Sequence, residues 1–591
     1  MAEKEPIVLR SFSGGWVSEI ISDSLELNMS PDLENVDFSA SGSVKKTWGY
    51  EELGSDSEDA INRRLIIVPD RQGVQYLIKK CGTKLKIYDA VLDRYDTILT
   101  GLTNGDTPVC EYFDATAYVM SAVDSAYKLD LYKNTRLTAA VLAAASTVDV
   151  DDTTNFAASG TFWLNSTLVT YTGKTGTSFT GCTDTPAAED NSFVFSPAVN
   201  VGGANEIPKG IVTAQYAGRL FVANGSTIYG SKLNDLDNFT VSGSGTGDAI
   251  QKTVESKVNA LKTFYDDQNN LRLLSFTADN KIYVHDVLDD SDLSATIMTS
   301  SMFKDNVTAV NQLSTLVGPN NLYHVDFRNQ LRSLGQTYAS RGVNKVYSDS
   351  MSKFHENLFK NYYNFDDARA VIYGNEYWMI TREGDGDVNN RLIIFDFEAG
   401  NWRKRTGINA NDIAVFNDDI IFADATRNKI FRFSESLMAD DDESIYFKYS
   451  TPDLDMEKLR FERLRRVRLA GFISKNCEAT ISIYTDFATK TLATFTLRGD
   501  NTDITGTVLS KDGKFGGMVF GDQIIGGESD GLDIRFFIAD LELKDLPDLE
   551  NFRIVLENDQ SNVYFEVTAI KPFIMQMNED YWPISKILSS N

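Results

Sequence analysis

The sequence predicts an all-β protein: a β-propeller of six or seven irregular blades, a small inserted β domain and a C-terminal β-sandwich-like domain. Three observations predict it. Apolar and polar residues alternate with period two along most of the 591 residues, the pattern of strands with one buried face. Short apolar runs recur between turn residues, as in "GRLFVANGSTIYGSKLNDLDNF" from Gly218 to Phe239, where Asn224-Gly225 turns the chain and Ile228-Tyr229 restarts the strand. Two stretches break that rhythm, and each reads as a β unit of its own.

Taken in order, residues 1–55 read as an extended segment that joins the blades or the C-terminal platform. Residues 56–136 hold the first blades: Arg63 to Asp89 reads as three strands with polar or Gly turns, and Pro108 to Tyr132 repeats the pattern. Residues 137–196 are rich in Thr, Ser, Ala and Gly and read as a compact β module inserted at an exposed loop tip. Residues 197–438 carry the remaining blades, in Ile211–Lys232, Val258–Val287, Val307–Leu334, Ala368–Arg405 and Asp412–Glu435. Helical spacing is convincing only in short places such as Asp349 to Lys360. Residues 439–591 open with an acidic loop and continue in longer strands, the pattern of a sandwich. Within them Lys511 to Gly531 has seven glycines and reads as a long flexible loop instead of a core strand.

Composition narrows the function. The apolar share of 42% and the aromatic share of 11% suffice for a folded interior. The formal charge is −27, from 57 basic and 84 acidic residues. A groove that grips nucleic acid needs clustered Lys and Arg, so a DNA-binding enzyme is disfavoured. The four cysteines, Cys81, Cys110, Cys182 and Cys477, form no CxxC pair and read as free thiols in a reducing cytoplasm. The opening "MAEKEPIVLRSFSGG" lacks the apolar run of a signal peptide, and no apolar stretch is long enough to predict a membrane-spanning helix.

The search for chemistry yields no catalytic, cofactor or metal site, and the chain reads as a non-enzyme. His285, His324 and His355 lie in separate segments and read as packing or surface residues. The one GxSxG match, Gly527 to Gly531 around Ser529, sits in the Gly-rich stretch and precedes a turn and strand, whereas a nucleophile elbow needs a helix there. Asp286–Ala295 and Ala439–Ser444 bunch carboxylates without the turn glycine of a calcium loop and read as solvated loops. Asp396, Trp402 and Arg403-Lys404-Arg405 fit a sugar- or phosphate-binding rim, but fit better a blade-closing Trp with charged turn residues. The arginine strip from Arg460 to Leu469 reads as a maker of subunit or inter-domain salt bridges, with Glu457 and Glu462 nearby.

Three stretches carry a resemblance. The opening from Ser11 to Leu53, with its early Gly-Gly, "SPDLENVDF" and the basic "GSVKKTWGY" turn, resembles the start of tail nozzle proteins of tailed bacteriophages, also called tail tubular protein B. Gly218 to Phe239 resembles propeller blades of the same proteins, and the insert from Leu137 to Phe195 is similar to a β module found among phage tail and adhesin proteins. The resemblance implies a structural virion protein, assembled in the host cytoplasm. It implies a homo-oligomeric ring, most often a hexamer, below the portal and head-to-tail adaptor. Such a ring docks tail fibres or other tail proteins and conducts genomic DNA during ejection without binding it specifically. An acidic wall repels phosphates, so a charge of −27 per subunit suits a conduit. Lys511, Phe515, Met518, Phe520 and Asp522 are the candidate channel or gate loop, with Asp440 to Glu443 a second gate candidate. Trp163 and Tyr171 of the insert are the candidate surface contacts. The alternatives are a receptor-binding or fibre-anchoring tail protein and a propeller enzyme acting on glycans, which would need two facing carboxylates.

Overall fold

The computed structural model describes residues 8–20, 24–56, 58, 60–203, 205–242, 245–265, 270–290, 295–318, 321–335, 348–350, 355–455, 462–485, 490–499, 505–508, 518–524, 534–543 and 551–576. The fold is all-β, with many small antiparallel sheets. Its one helix among the described residues, Glu356–Tyr362, overlaps the end of the stretch where helical spacing was read, Asp349 to Lys360.

Seven four-stranded antiparallel sheets follow one another along the chain. Sheet I consists of Asn62–Pro69, Gln75–Cys81, Lys84–Asp89 and Arg94–Leu99; sheet II of Val109–Phe113, Thr116–Met120, Tyr127–Asp130 and Val199–Asn200. Sheet III spans Val212–Tyr216 to Ile250–Thr253, sheet IV Val258–Tyr265 to Ala295–Asp305, and sheet V Leu316–Val317 to Ser348–Ser350. Sheet VI spans Tyr363–Tyr373 to Asn401–Arg405. Sheet VII takes Ala410–Phe416, Asp419–Asp424 and Ile430–Ser434 from its own stretch and its fourth strand, Gly49–Glu52, from the start of the chain.

Turn chemistry explains the local hairpins. Asn417 and Asp418 join the first two strands of sheet VII with φ of 48° and 65°, the left-handed pair that a two-residue hairpin turn requires and that Asn and Asp tolerate. Packing explains the order of the sheets. The first strand of each sheet touches the first strand of the next, and that of sheet VII touches that of sheet I, so the contacts close on themselves. Hydrophobic clusters sit in the gaps: Ile78, Ile87, Val119 and Leu129 between sheets I and II, and Leu65, Leu77, Phe416 and Ile421 between sheets I and VII.

The insert leaves sheet II between its third and fourth strands. It forms a four-stranded sheet and a three-stranded sheet around its own cluster, with Phe162, Val169, Tyr171 and Phe179 at the centre. The last part of the chain builds two larger sheets that share one cluster, in which the Phe447 and Phe565 rings meet edge to face at 5.6 Å. The N-terminal segment serves both: Leu33–Glu34 pairs with Ile445–Ser450 in one, and Val36–Phe38 and Val44–Lys46 extend the other.

Two expectations are corrected here. Lys511–Gly531 is not wholly a loop, because Met518–Ile524 is a strand paired with Ile534–Glu542 at the edge of the six-stranded sheet. Its Met-Val-Phe core favours a strand despite the flanking glycines. Asp286–Asp290 is likewise no loop: it ends a ten-residue strand, Lys281–Asp290, paired with Ala295–Asp305.

Candidate functional site

Two places gather polar side chains from several elements. The first is a cleft of about 870 Å³ between the N-terminal segment and sheets VI and VII. Arg403, on the last strand of sheet VI, donates to both Asp37 and Glu376. The Trp378 indole N–H donates to the other Glu376 oxygen at 2.8 Å. Burial pushes the Glu376 carboxyl up, and the Arg403 charge opposes that push. Asp37 and Glu376 are thus two carboxylates tied to one guanidinium, an arrangement that fixes the N-terminal segment on sheet VI. The neighbouring residues do the same. Lys404 pairs with Asp32 and Glu34 at 3.5 and 3.3 Å, and Arg405 donates to Asp440 and to the Trp48 carbonyl. Trp402 is buried at 3% exposure beside Phe395 and His355. The basic run is therefore consumed by the chain's own carboxylates, because it lies on the strand against which the N-terminal segment packs.

The second place is a hub along the first strands of sheets VII, I, II, III and IV, which touch in that order. Arg64 Nη1 lies 2.8 and 2.7 Å from the two carboxylate oxygens of Asp412, whose Oδ2 also accepts from the Leu65 N–H at 2.7 Å. Glu111 accepts from Thr213 Oγ1 at 2.7 Å and from Gln215 Nε2 at 3.3 Å. Burial pushes the Glu111 carboxyl up, and its hydrogen bond from Thr213 opposes this. Burial pushes the Lys262 ammonium down to about 8, against the pull of the Glu111 charge. Gln312 bridges strands by accepting from Leu261 N–H at 2.8 Å and donating to the Thr213 carbonyl at 2.8 Å. Sequence patterning missed this hub. Its members are spread over the first strands of sheets I, II, III, IV and VII and the stretch before sheet V, and only the packing of the sheets brings them together.

The sequence-derived candidates fall elsewhere. Lys511 and Phe515, like Ser529, lie outside the described residues, and Met518, Phe520 and Asp522 lie on the edge strand named above. Asp440 is buried and held by Arg405, and Asp441 pairs with Arg427 and Lys429 at 3.2 and 3.0 Å, so the first half of this acidic run ties segments together, whereas Asp442 and Glu443 are exposed. Tyr171 is only 2% exposed and its hydroxyl donates to the Ala157 carbonyl at 3.0 Å, which removes it as a surface contact. Trp163 is half-buried against the cluster between sheets I and II. Tyr171 was misjudged because strand aromatics alternate, and the inward ones fill the insert's small core.

The histidines are all buried. His285 lies 2.7 Å from both Ser275 Oγ and Ser300 Oγ. His355 Nε2 donates to the Trp16 carbonyl at 2.9 Å, which leaves Nδ1 to accept from Ser18 Oγ at 2.9 Å. The arginine strip pairs across strands: Arg468 reaches Asp540 at 2.7 Å, a different partner from the glutamates nearby in sequence. Cys81, Cys110, Cys182 and Cys477 are free thiols. Burial raises all four, Cys477 to about 12, which makes them poor nucleophiles. Among the described residues, no three of His, Cys, Asp and Glu converge on a metal position, and no helix is long and apolar enough to cross a membrane.

No protein-family model matches the chain, and no curated protein matches it. Among solved structures, the crystal structure of the computationally designed Ika8 protein is similar at 9% identity and a TM-score of 0.31, covering 65% of this chain and 100% of that one. A score that low carries no argument about this protein.

Proposed function

We propose that the seven four-stranded sheets are the blades of a seven-bladed propeller, and that the protein is a structural component of a bacteriophage tail, a nozzle-type ring subunit. The supporting observation is the role of the opening segment, on which the resemblance rests. Residues 33–52 supply strands to both large sheets and the fourth strand of sheet VII, so one continuous stretch ties the cyclic sheets to the two-sheet platform. A chain that spends its opening segment on rigidity suits a wall under load. The charge of −27 per subunit suits a conduit that must not retain DNA. In this reading the platform and propeller give the faces for neighbouring copies, the head-to-tail adaptor and other tail proteins.

Electron-microscope class averages of the purified protein, alone and with its candidate adaptor, test this reading. It expects closed rings with a central channel wide enough for duplex DNA. Monomers that never close, even with the adaptor, would overturn it in favour of a peripheral fibre-anchoring or receptor-binding role.

A further inference from the structure

A small pocket of about 170 Å³ opens where the first strands of sheets VI, VII and I converge. It is lined by Arg63 from sheet I, Arg369 and Arg382 from sheet VI, and Asn411 from sheet VII, with Asp367 and Asp387 on its exposed side. Ion pairing is the rule for the buried arginines of this molecule, as at Arg64, Arg219, Arg403, Arg405 and Arg553. These three arginines depart from it: among the described residues, none has an ion pair within 4 Å or a side-chain hydrogen bond. Arg369 Nε is fully buried with no partner. Burial pulls the Arg369 guanidinium down; the charges of Asp412, already held by Arg64, and of Asp367 oppose this in part.

The three guanidiniums outnumber the pocket's two carboxylates, and Arg369, whose charge burial disfavours, gains most from an anion that completes it. The pocket has room for roughly five water molecules at about 30 Å³ each, enough for a tetrahedral oxyanion and a water or two. Guanidinium donors are planar and forked, the geometry that grips phosphate oxygens in pairs. Asn411 is oriented by its own bond, Nδ2 donating to the Asn62 carbonyl at 2.8 Å, which leaves its carbonyl oxygen to hold a water.

We infer that Arg63, Arg369 and Arg382 form a phosphate-binding site that fastens sheets VI, VII and I together. The inference is independent of the tail reading and holds or fails on its own. The phosphate source is either free inorganic phosphate or the terminal group of a phosphate monoester.

Calorimetric titration of the full chain in chloride buffer, at fixed ionic strength, tests it. Inorganic phosphate should bind saturably at one site per chain and raise the thermal unfolding midpoint. AMP, titrated in parallel, separates the sources: binding by phosphate alone assigns the free ion, and binding by both admits monoesters. Arg369→Gln should weaken phosphate binding tenfold or more. Because that buried substitution also perturbs packing, Arg382→Gln serves as the second variant and should weaken binding several-fold while the ligand-free unfolding midpoint stays within a degree or two. Non-saturable heats with wild-type protein, or an Arg382→Gln affinity equal to wild type, would overturn the site.

Discussion

Arg64 grips Asp412 with one nitrogen at 2.8 and 2.7 Å from the two carboxylate oxygens, and the pair joins the first four-stranded sheet to the last. Asp412 is fully buried and also satisfies the Leu65 N–H. Removing the carboxylate strands a cation and a backbone donor together. Asp412→Ala is expected to cost about 3–5 kcal/mol, read as a lower midpoint in urea unfolding. Arg71→Ala breaks a pair whose side chains are 60% and 65% exposed, and should change stability by less than about 1 kcal/mol. Equal effects from the two would show that the closure between sheets I and VII is not held by this pair.

The borrowed strand of sheet VII gives a second prediction. Gly49 lies so close to the neighbouring chain that an added Cβ would stand 1.9 Å from the Ala439 carbonyl oxygen. Backbone must move to admit it, and the adjacent Tyr50 ring is packed against Phe422 and Phe431 at 4.9 and 4.8 Å. Gly49→Ala should therefore destabilise by roughly 1–3 kcal/mol and speed proteolysis near residue 49. Gly176→Ala, where nothing lies within 4 Å of the added carbon, is the control and should leave both readouts unchanged.

These two sites show what was legible in the sequence. Alternation and turn residues exposed the strands of Arg63–Asp89 and Gly218–Gly230, because a half-buried hairpin writes its pattern locally. The fourth strand of sheet VII was not legible, since Gly49–Glu52 pairs with Ile430–Ser434 across more than half the chain and its pattern names no partner. Arg403 was noticed as a charge, but its tie to Asp37 and Glu376 depends on the path of the N-terminal segment. Met518–Ile524 was hidden by glycines that flank the strand and, at Gly521, interrupt its pattern.

The buried histidines predict acid sensitivity. Burial pushes His285 and His324 down to about 4 and His355 to about 3, against about 6.5 in an unfolded chain. The folded state therefore holds them neutral while the unfolded state takes up protons below pH 6.5. Their contribution to stability is complete above that pH and falls as pH drops toward 4. Each should cost about 2 kcal/mol between pH 6.5 and 5. Urea unfolding at a series of pH values reads the slope, and His285→Gln, which keeps a donor and an acceptor for Ser275 and Ser300, should flatten it by one histidine's share. A slope unchanged by the substitution would mean that His285 is protonated alike in both states.

The insert yields the last prediction. Its two ends are side by side: Asn134 faces Phe195 across an antiparallel pair, and the chain resumes sheet II at Val199–Asn200. Its core is its own, centred on Phe162, Phe179 and Val169. It is linked to sheet I by the Thr97 N–H donating to Ser166 Oγ at 2.9 Å, Arg94 donating to Ser192 Oγ at 3.3 Å, Arg136 pairing with Asp89 at 2.9 Å, and Phe193 and Trp163, which join the cluster between sheets I and II. Replacing residues 135–194 by a short Asn-Gly turn should leave a soluble β-rich protein, because the cut removes the insert's own cluster, takes only Phe193 and Trp163 from the cluster between sheets I and II, and spares the cyclic contacts. Stability should fall by about 2–4 kcal/mol, as Asp89 loses its arginine and the Thr97 N–H its acceptor. Asp89→Asn in the shortened chain should recover part of that loss by removing the unpaired charge. Circular dichroism and urea unfolding of the two variants decide it. An insoluble shortened chain would mean that the insert is part of the core of sheets I and II and not an addition to it.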